Sequence, residues 1–332
     1  MRIAFLVNAL ADERDVYTTT QLAHAAARRG HDVWYVDVDA LAVTPGGELT
    51  ATAQRATDWA GDAAAFLGAV VRSAPELLAL DALDVLMLRN EPSFDAVDRP
   101  WAQPAGYLFG ELARQRGVVV LSDPRGLALA GPDKLYTLRF PERWRPRTLI
   151  TRDLDAVHAF AAELGGDVVL KPLHGGAGES VFAVRRNDPN FVQIFEAVAR
   201  RGYVIAQEYL PAIERGSVRL FMLDGKPLAV DGAVAATRHL PRGADIRSNY
   251  RVAATIAPPD LDDDAFAIAA AVGPALAADG MFLVGLDIVG DKILEANLFS
   301  PGGLRGAQLL AGVDFAGAVV DAMAAKRAAA PV

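Results

Sequence analysis

The sequence predicts an α/β first half, a doubly wound parallel sheet, joined to an α+β second half. Three observations carry that prediction. Uninterrupted apolar runs, "RIAFLVN", "DVWYVDV", "LDVLMLRN" and "VVVLSDP", alternate with helical patterns before residue 126, as in a parallel sheet covered on both faces. From about Leu127 strand pairs joined by tight turns replace that alternation. The 332 residues, 52% of them hydrophobic, suffice for two or three packed units.

Taken in order, the first strand leads into a helix over about 17–29, closed by Gly30, which supplies the left-handed residue that ends a helix. The second strand follows, then "TPGGELTATAQ", a loop or short meander. "QPAGYLFGELARQRG" is helical between the third and fourth strands. Beyond residue 127, "LALAGPDKLYTLRF" reads as a helix interrupted by Pro132, and "AVHAFAAELGG" as one closed by glycines. "DVVLKPL" and "SVFAV" are strands joined by a glycine loop, followed by a helix near 191–201 and the strand "YVIAQEYL". "SVRLFMLDG" and "KPLAVDGAV" form a hairpin turning at Asp224-Gly225. A polar loop at 237–251, a helix over about 262–278, a final hairpin and a C-terminal surface helix complete the chain.

A net charge of −8 argues against a general nucleic-acid or acidic-membrane surface. The absence of cysteine excludes disulfides, thiolate zinc sites and a cysteine nucleophile. His24, His31, His158, His174 and His239 are scattered without metal-ligand spacing. The opening "MRIAFLVNAL" is too short, and too soon followed by charge, for a signal peptide. Without a run of ~18 uncharged apolar residues no membrane span is expected, and a cytoplasmic location is the default.

The stretch "VGLDIVGDKILEANLFSPGG", residues 284–303, sets Asp287, Glu295 and Asn297 into paired apolar strands. With Gly290-Asp291-Lys292 as a three-residue loop, Asp287 faces Glu295 and Gly285 faces Asn297, so the three polar side chains share one side. Val284, Leu286, Ile288, Leu294, Ala296 and Leu298 occupy the other, while Val289, Ile293 and Phe299 flank the acids. Opposed carboxylates repel unless a cation lies between them, and two carboxylates with an amide oxygen suit a hard ion such as Mg²⁺ or Mn²⁺. The alternative is a solvent-facing polar edge.

"VVLKPLHGGAGESVFAV" carries Gly175, Gly176 and Gly178 between two strands, with Lys171 ahead of them. It is neither a Walker loop nor a dinucleotide fingerprint, because the lysine precedes the glycines and a strand follows. Glycines let backbone N–H groups approach phosphate oxygens, and Lys171 could supply a cation to them; a flexible hairpin tip is the alternative. Lys134 has a weaker case. Backbone groups of Gln207, Glu208, Tyr209 and Leu210 could read an adenine edge, and Arg219 on the next strand could face phosphates. Arg238, Arg242, Arg247 and Arg251 crowd "TRHLPRGADIRSNYR", where forked guanidinium groups suit carboxylate or phosphate.

Together "DKLY", "LKPLHGGAGESVF", "AQEYLPAI", "VRLFMLDGKPL", "IRSN" and "FLVGLDIVGDKILEANLFSP" resemble, in order, an ATP-grasp ligase, most closely of the bacterial glutathione synthetase type. The resemblance implies an N-terminal domain over 1–126 and a two-lobed ATP-grasp fold, with a lid over 127–210 and a metal-bearing domain over 211–332. It implies that Lys134, Lys171 and the glycine loop contact ATP phosphates and that Gln207, Glu208, Tyr209 and Leu210 line the adenine. Arg219, Asp287, Glu295 and Asn297 would hold phosphates and Mg²⁺, with Mn²⁺ an alternative ion. Arg247 and Asn249 would reach the transferred phosphate and the acyl substrate. The implied reaction joins a small-molecule acid to an amine through an acyl phosphate, with γ-glutamylcysteine and glycine as the default pair, in a homo-oligomer.

The chain departs from that family's pattern mostly around the acceptor substrates. "YRVAATIAP" replaces a glycine-rich run, Ser217 stands where an acid binds ribose, and "SPGGLRG" offers Arg305 with no following glutamate. "NALADERDVYTTT" lacks a lysine, and "LRNEPSFD" keeps only part of an arginine-lysine-aspartate-proline segment. Two rival expectations follow: a ligase for a different acid and amine, or a nucleotide-binding module that does not catalyse.

Overall fold

The apolar runs of the first half become the centre of a sheet in the computed structural model, which describes residues 1–56, 59–131, 134–175, 178–241 and 255–330. In chain order this part comprises β1 (Arg2–Val7), α1 (Thr18–Arg28), β2 (Asp32–Val43), β3 (Leu49–Arg55), α2 (Ala63–Arg72) and β4 (Pro75–Ala79). It continues through β5 (Val85–Leu88), α3 (Ala105–Gln115), β6 (Val119–Leu121) and α4 (Pro124–Ala130). The strand order is β4-β3-β2-β1-β5-β6, parallel from β2 to β6. At the other edge β3 and β4 run antiparallel. "TPGGELTATAQ" is therefore the meander of its two readings, and alternating Thr and Ala gave β3 too little apolar bulk to announce itself.

The middle segment forms a four-stranded antiparallel sheet, order β7-β10-β8-β9, from β7 (Thr148–Thr151), β8 (Val168–Pro172), β9 (Phe182–Val184) and β10 (Val204–Glu208). Two helices, α5 (Leu154–Glu163) and α6 (Phe191–Ala199), pack on it around Val157, Leu170, Phe195, Val204 and Ala206. Among the described residues that apolar cluster draws on none outside this lobe. Ahead of it, α4 stops at Ala130 and residues 135–139 form a 3-10 turn, so "LALAGPDKLYTLRF" is two short pieces rather than one interrupted helix.

The last segment builds its sheet from β11 (Ser217–Leu223), β12 (Lys226–Pro227), β15 (Ala236–Leu240), β16 (Thr255–Ala257), β17 (Leu283–Val289) and β18 (Lys292–Asn297); β13 (Ala229–Val230) and β14 (Ala233–Val234) pair separately. The Asp224-Gly225 turn is present, with φ of 50° and 76°, the positive values a two-residue hairpin loop needs. Residues 237–240 of the expected polar loop are instead strand β15, bonded to β11. Helix α7 (Asp263–Ala278) starts on Asp262, whose carboxylate accepts from the Ala265 amide.

Two helices, α8 (Leu304–Ala311) and α9 (Phe315–Ala329), end the described chain. The expected surface helix is half buried: α9 lays Phe315, Val319, Val320 and Met323 into a core shared with α1. Arg29 ties the two helices through Asp314 and Asp321. A second core joins Leu6, Val36 and Leu88 of the first sheet to Leu220, Leu286 and Ile293 of the last. First and last segments thus share their interior, and the middle lobe keeps its own. Among the described residues no single helix is long and apolar enough to cross a membrane.

Candidate active site

The acidic hairpin pairs as expected, by a different route. Asp287 faces Glu295 and Gly285 faces Asn297, yet nearer the turn Ile288 pairs with Ile293 and Val289 with Lys292. The loop is therefore Gly290-Asp291, not three residues, with Gly290 at φ 56°. A register shift beside Asp287 makes Leu294 the extra residue of a β-bulge, which restores the alignment a two-residue turn would have lost. The bulge also exchanges two side chains: Ile293, fully buried, joins the apolar face that the sequence assigned to Leu294.

Across the sheet, Thr237 of β15, Arg219 of β11, Asp287 of β17 and Glu295 of β18 stand directly opposite one another in a row. Arg219 and Asp287 are buried and meet as a forked pair, with Nη2 donating to Oδ2 at 2.7 Å. Nη1 of Arg219 also donates to the Gly302 carbonyl at 3.0 Å. The counter-charge that the sequence reading gave to a metal ion is, for Asp287, this guanidinium. Burial alone would lower the Arg219 pKa; attraction and hydrogen bonding to Asp287 outweigh it, so the net shift is upward. Gly285 makes room for the pair, because a Cβ there would stand 2.8 Å from Arg219 Cδ and 3.2 Å from Pro301 Cβ. Gly285→Ala is expected to cost about 1–3 kcal/mol by overpacking, seen as a lower urea midpoint together with reduced ATP turnover.

Asn297 turns its amide N–H groups inward, donating to the Gly285 carbonyl at 3.2 Å and Asp287 at 3.3 Å. Glu295 is half-buried, and among the described residues its carboxylate has no hydrogen bond or ion pair. It lies within electrostatic reach of Lys134 and Lys171. Lys171 Nζ donates to Gln207 Oε1 at 2.9 Å, and Lys134 Nζ to the Pro172 carbonyl at 3.1 Å. Burial first, and the charge of Lys134 second, push Lys171 down to about 8 against the pull of Glu295. Lys134 is lowered too, by burial.

The glycine loop leaves β8 with Gly175 at φ 113° and Gly178 at 74°, conformations costly for other residues. Gly176, Arg247 and Asn249 lie outside the described residues, as do Arg242 and Arg251. Gln207 points its side chain at Lys171 and Thr148. Glu208 accepts from the Arg147 amide, and Tyr209 stacks under Arg185 at 4.1 Å. These side-chain engagements leave backbone atoms as the means by which 207–210 could meet a base.

A cavity of about 830 Å³ joins these parts. Lys134, Gly175, Arg219, Glu295 and Asn297 line one wall; Lys171 and 207–210 do not line it. The rest of the lining comes from the first sheet: Asn8 and Glu13 beyond β1, and Arg89, Glu91 and Asp95 beyond β5, in two loops that the resemblance set near the acceptor substrates but in which the sequence assigned no residue a role. Position was the available signal, since ligands of open parallel sheets bind outside the carboxyl ends of the strands. Asn8 donates to Asp95 at 2.7 Å, and Arg99 clamps the same carboxylate.

Among the described residues no group of three or more His, Asp or Glu side chains is placed to hold a metal. Two carboxylates and an amide nevertheless match what Mg²⁺ takes from protein when substrate phosphates complete its shell, and Glu295 is a carboxylate with no hydrogen bond or ion pair among the described residues. The arrangement gathers Lys134 and Arg219 for anionic oxygens beside carboxylates for a hard cation, along a cavity with room for a second reactant.

Two family models match the chain: "Prokaryotic glutathione synthetase, N-terminal domain" over residues 1–128 and "Prokaryotic glutathione synthetase, ATP-grasp domain" over 133–311. A glutathione synthetase of Shewanella oneidensis is 32% identical over 310 residues, covering 90% of each chain. That of Bradyrhizobium diazoefficiens is 34% identical over 315 residues, 94% of this chain and 93% of its own. The solved ATP-grasp ligase PsnB with its minimal precursor superposes with a TM-score of 0.61 at 21% identity, over 98% of this chain and 99% of that one. D-cycloserine synthetase DcsG gives 0.61 at 17% identity, over 97% and 99%. These two structures speak for the fold.

Proposed function

The chain belongs to the prokaryotic glutathione synthetase family, and from that premise we propose that it joins γ-glutamylcysteine to glycine, with Asp287, Glu295 and Asn297 holding Mg²⁺. It is an ATP-dependent, ADP-forming carbon–nitrogen ligase acting on small molecules, with an N-terminal α/β domain ahead of an ATP-grasp fold. The observation that carries the fuller reading is the shared cavity, lined together by cationic and acidic groups of the last two segments and by charged groups of the first sheet.

The substrate carboxylate attacks the γ-phosphorus, the bond to ADP breaks, and the amine then displaces phosphate from the acyl carbon with loss of a proton. Lys134 and Lys171 neutralise phosphate oxygens, and Gln207 fixes the Lys171 ammonium. Arg219 orients the metal-side carboxylate and offers its two remaining N–H groups to phosphate. Gly175, Gly176 and Gly178 bring backbone N–H groups close to the nucleotide, while Glu208, Tyr209 and Leu210 meet adenine through the backbone. Arg247 and Asn249 belong beside the transferred phosphate. A divalent ion held by Asp287, Glu295 and Asn297 would supply charge neutralisation to the nucleotide phosphates. We place the three parts at 1–126, 127–210 and 211–332. The separate core of the middle lobe supports its moving as a lid that keeps water from the acyl phosphate.

ADP release measured over a panel of acid–amine pairs tests the substrates. Turnover is expected with γ-glutamylcysteine and glycine and with neither alone; turnover with a different pair only would overturn the assignment while leaving the ligase intact.

A further inference from the structure

Burying a charge without a counter-ion is costly, so a buried and unpaired ion beside a cavity points to a charged ligand. The first-sheet wall of the cavity holds one such ion, Arg89, with the half-buried carboxylates Glu13 and Glu91 near it, Glu91 accepting from the Ser93 amide and hydroxyl. Arg89 is 3% exposed, and its guanidinium donates to two neutral groups, the Thr19 hydroxyl at 3.2 Å and the Pro301 carbonyl at 3.1 Å. Among the described residues no carboxylate reaches it within ion-pair distance. Glu13, half-buried, accepts from the Thr20 hydroxyl at 3.3 Å and likewise has no ion pair among the described residues. The two opposite charges influence each other through space without touching.

We infer that Arg89 and Glu13 form a subsite for an amino-acid head on the acid substrate, Arg89 receiving its carboxylate and Glu13 its ammonium group. A head carrying carboxylates alone would face Glu13 unfavourably, and a purely cationic one would face Arg89; a zwitterion satisfies both. Arg89 donates to the Pro301 carbonyl and Arg219 to that of Gly302 next to it, so a head held by Arg89 would sit beside the hairpin exit, in the same cavity that Lys134 and Arg219 line. The substrate's name rests on the reading above; the zwitterionic head does not.

Burial holds the Glu13 carboxyl up to about 7, opposed chiefly by Arg89, then by the Thr20 hydroxyl and Arg14, with Asp12 adding to the rise. The Tyr35 phenol from β2 also faces Glu13, and the Glu91 carboxyl from the loop after β5 faces Arg89. Only ionised Glu13 receives an ammonium, so kcat/KM for the acid should climb through about pH 7 and lose that limb in Glu13→Gln.

The decisive test compares wild type and Glu13→Gln with γ-glutamylcysteine and its des-amino analogue glutarylcysteine, at saturating ATP and glycine. Removing Arg89 would open a hole in packed interior, whereas Glu13→Gln keeps the side chain's shape. Deleting the ammonium should cost wild type about 10–100-fold in kcat/KM and the variant about 2-fold, with KM for ATP unchanged, as for a desolvated charge pair. Losses that multiply independently, or no loss in Glu13→Gln, would overturn the subsite. Should wild type use neither compound, the glutathione reading has failed. The comparison then passes to whichever acid the panel returns and its des-amino form, and a productive acid without an amino-acid head refutes the subsite alone.

Discussion

Arg219→Met is expected to lower stability by about 3–5 kcal/mol and to abolish measurable ligase turnover, because it strands Asp287 as a buried carboxylate. In the intact protein that carboxylate is 7% exposed and held by both prongs of the guanidinium; afterwards the Asn297 amide at 3.3 Å is the donor left to it. A second variant separates charge from packing. Arg219→Met combined with Asp287→Leu removes both ions, and replacing both partners by apolar groups is close to neutral, so most of the urea midpoint should return. Activity should stay absent. A double variant as unstable as the single one would mean that the guanidinium's packing, not its charge, holds the strands. Magnesium adds a readout independent of catalysis. With the guanidinium gone, Asp287 and Glu295 face each other uncompensated, so Mg²⁺ should raise the midpoint of Arg219→Met more than that of wild type. Equal shifts would count against these carboxylates as ligands.

The hairpin was legible because period-two alternation survives in a strand pair whatever the turn does. Polar residues at 287, 295 and 297 among apolar neighbours fix which face is which. Alternation does not reveal how the strands are joined: Gly290-Asp291 with an extra Leu294 places the acids just as a three-residue loop would. Arg219 could be assigned to a strand, but its pairing with Asp287 depends on β11 lying next to β17, a long-range choice no local pattern encodes. The same limit left the second wall half read: resemblance set its two loops near the acceptor substrates, but no residue in them could be given a role. Glu13 and Arg89 sit far apart in sequence, and each resembles ordinary loop charge until β1 and β5 are known to be neighbours. Strand β15 was missed for a different reason. Its sequence, ATRHL, is polar by composition, yet Thr237 and His239 are fully buried and hydrogen-bonded to each other.

Lys171 gives the second large effect, and its sign can be worked out in two directions at once. Lys171→Met should lower kcat/KM for ATP by about 10²–10³, the usual consequence of removing one donor from a developing charge. For wild type, the ammonium is lost as pH rises through about 8, so affinity for a non-hydrolysable ATP analogue should fall above that value. Lys171→Arg binds with altered geometry but keeps its charge, and its affinity should not break near 8. Stability without nucleotide moves the opposite way. The folded-state pKa of about 8 lies below the 10.5 of the free side chain, so between these values the unfolded chain holds more protons and folding strengthens as pH rises. Calorimetric titration and thermal unfolding over pH 7–10 should therefore give opposed slopes from the same residue. Parallel slopes would show that the nucleotide does not depend on this ammonium. A binding curve unchanged in Lys171→Arg would assign the titration to a different group, Lys134 being the nearest cation that burial shifts in the same sense.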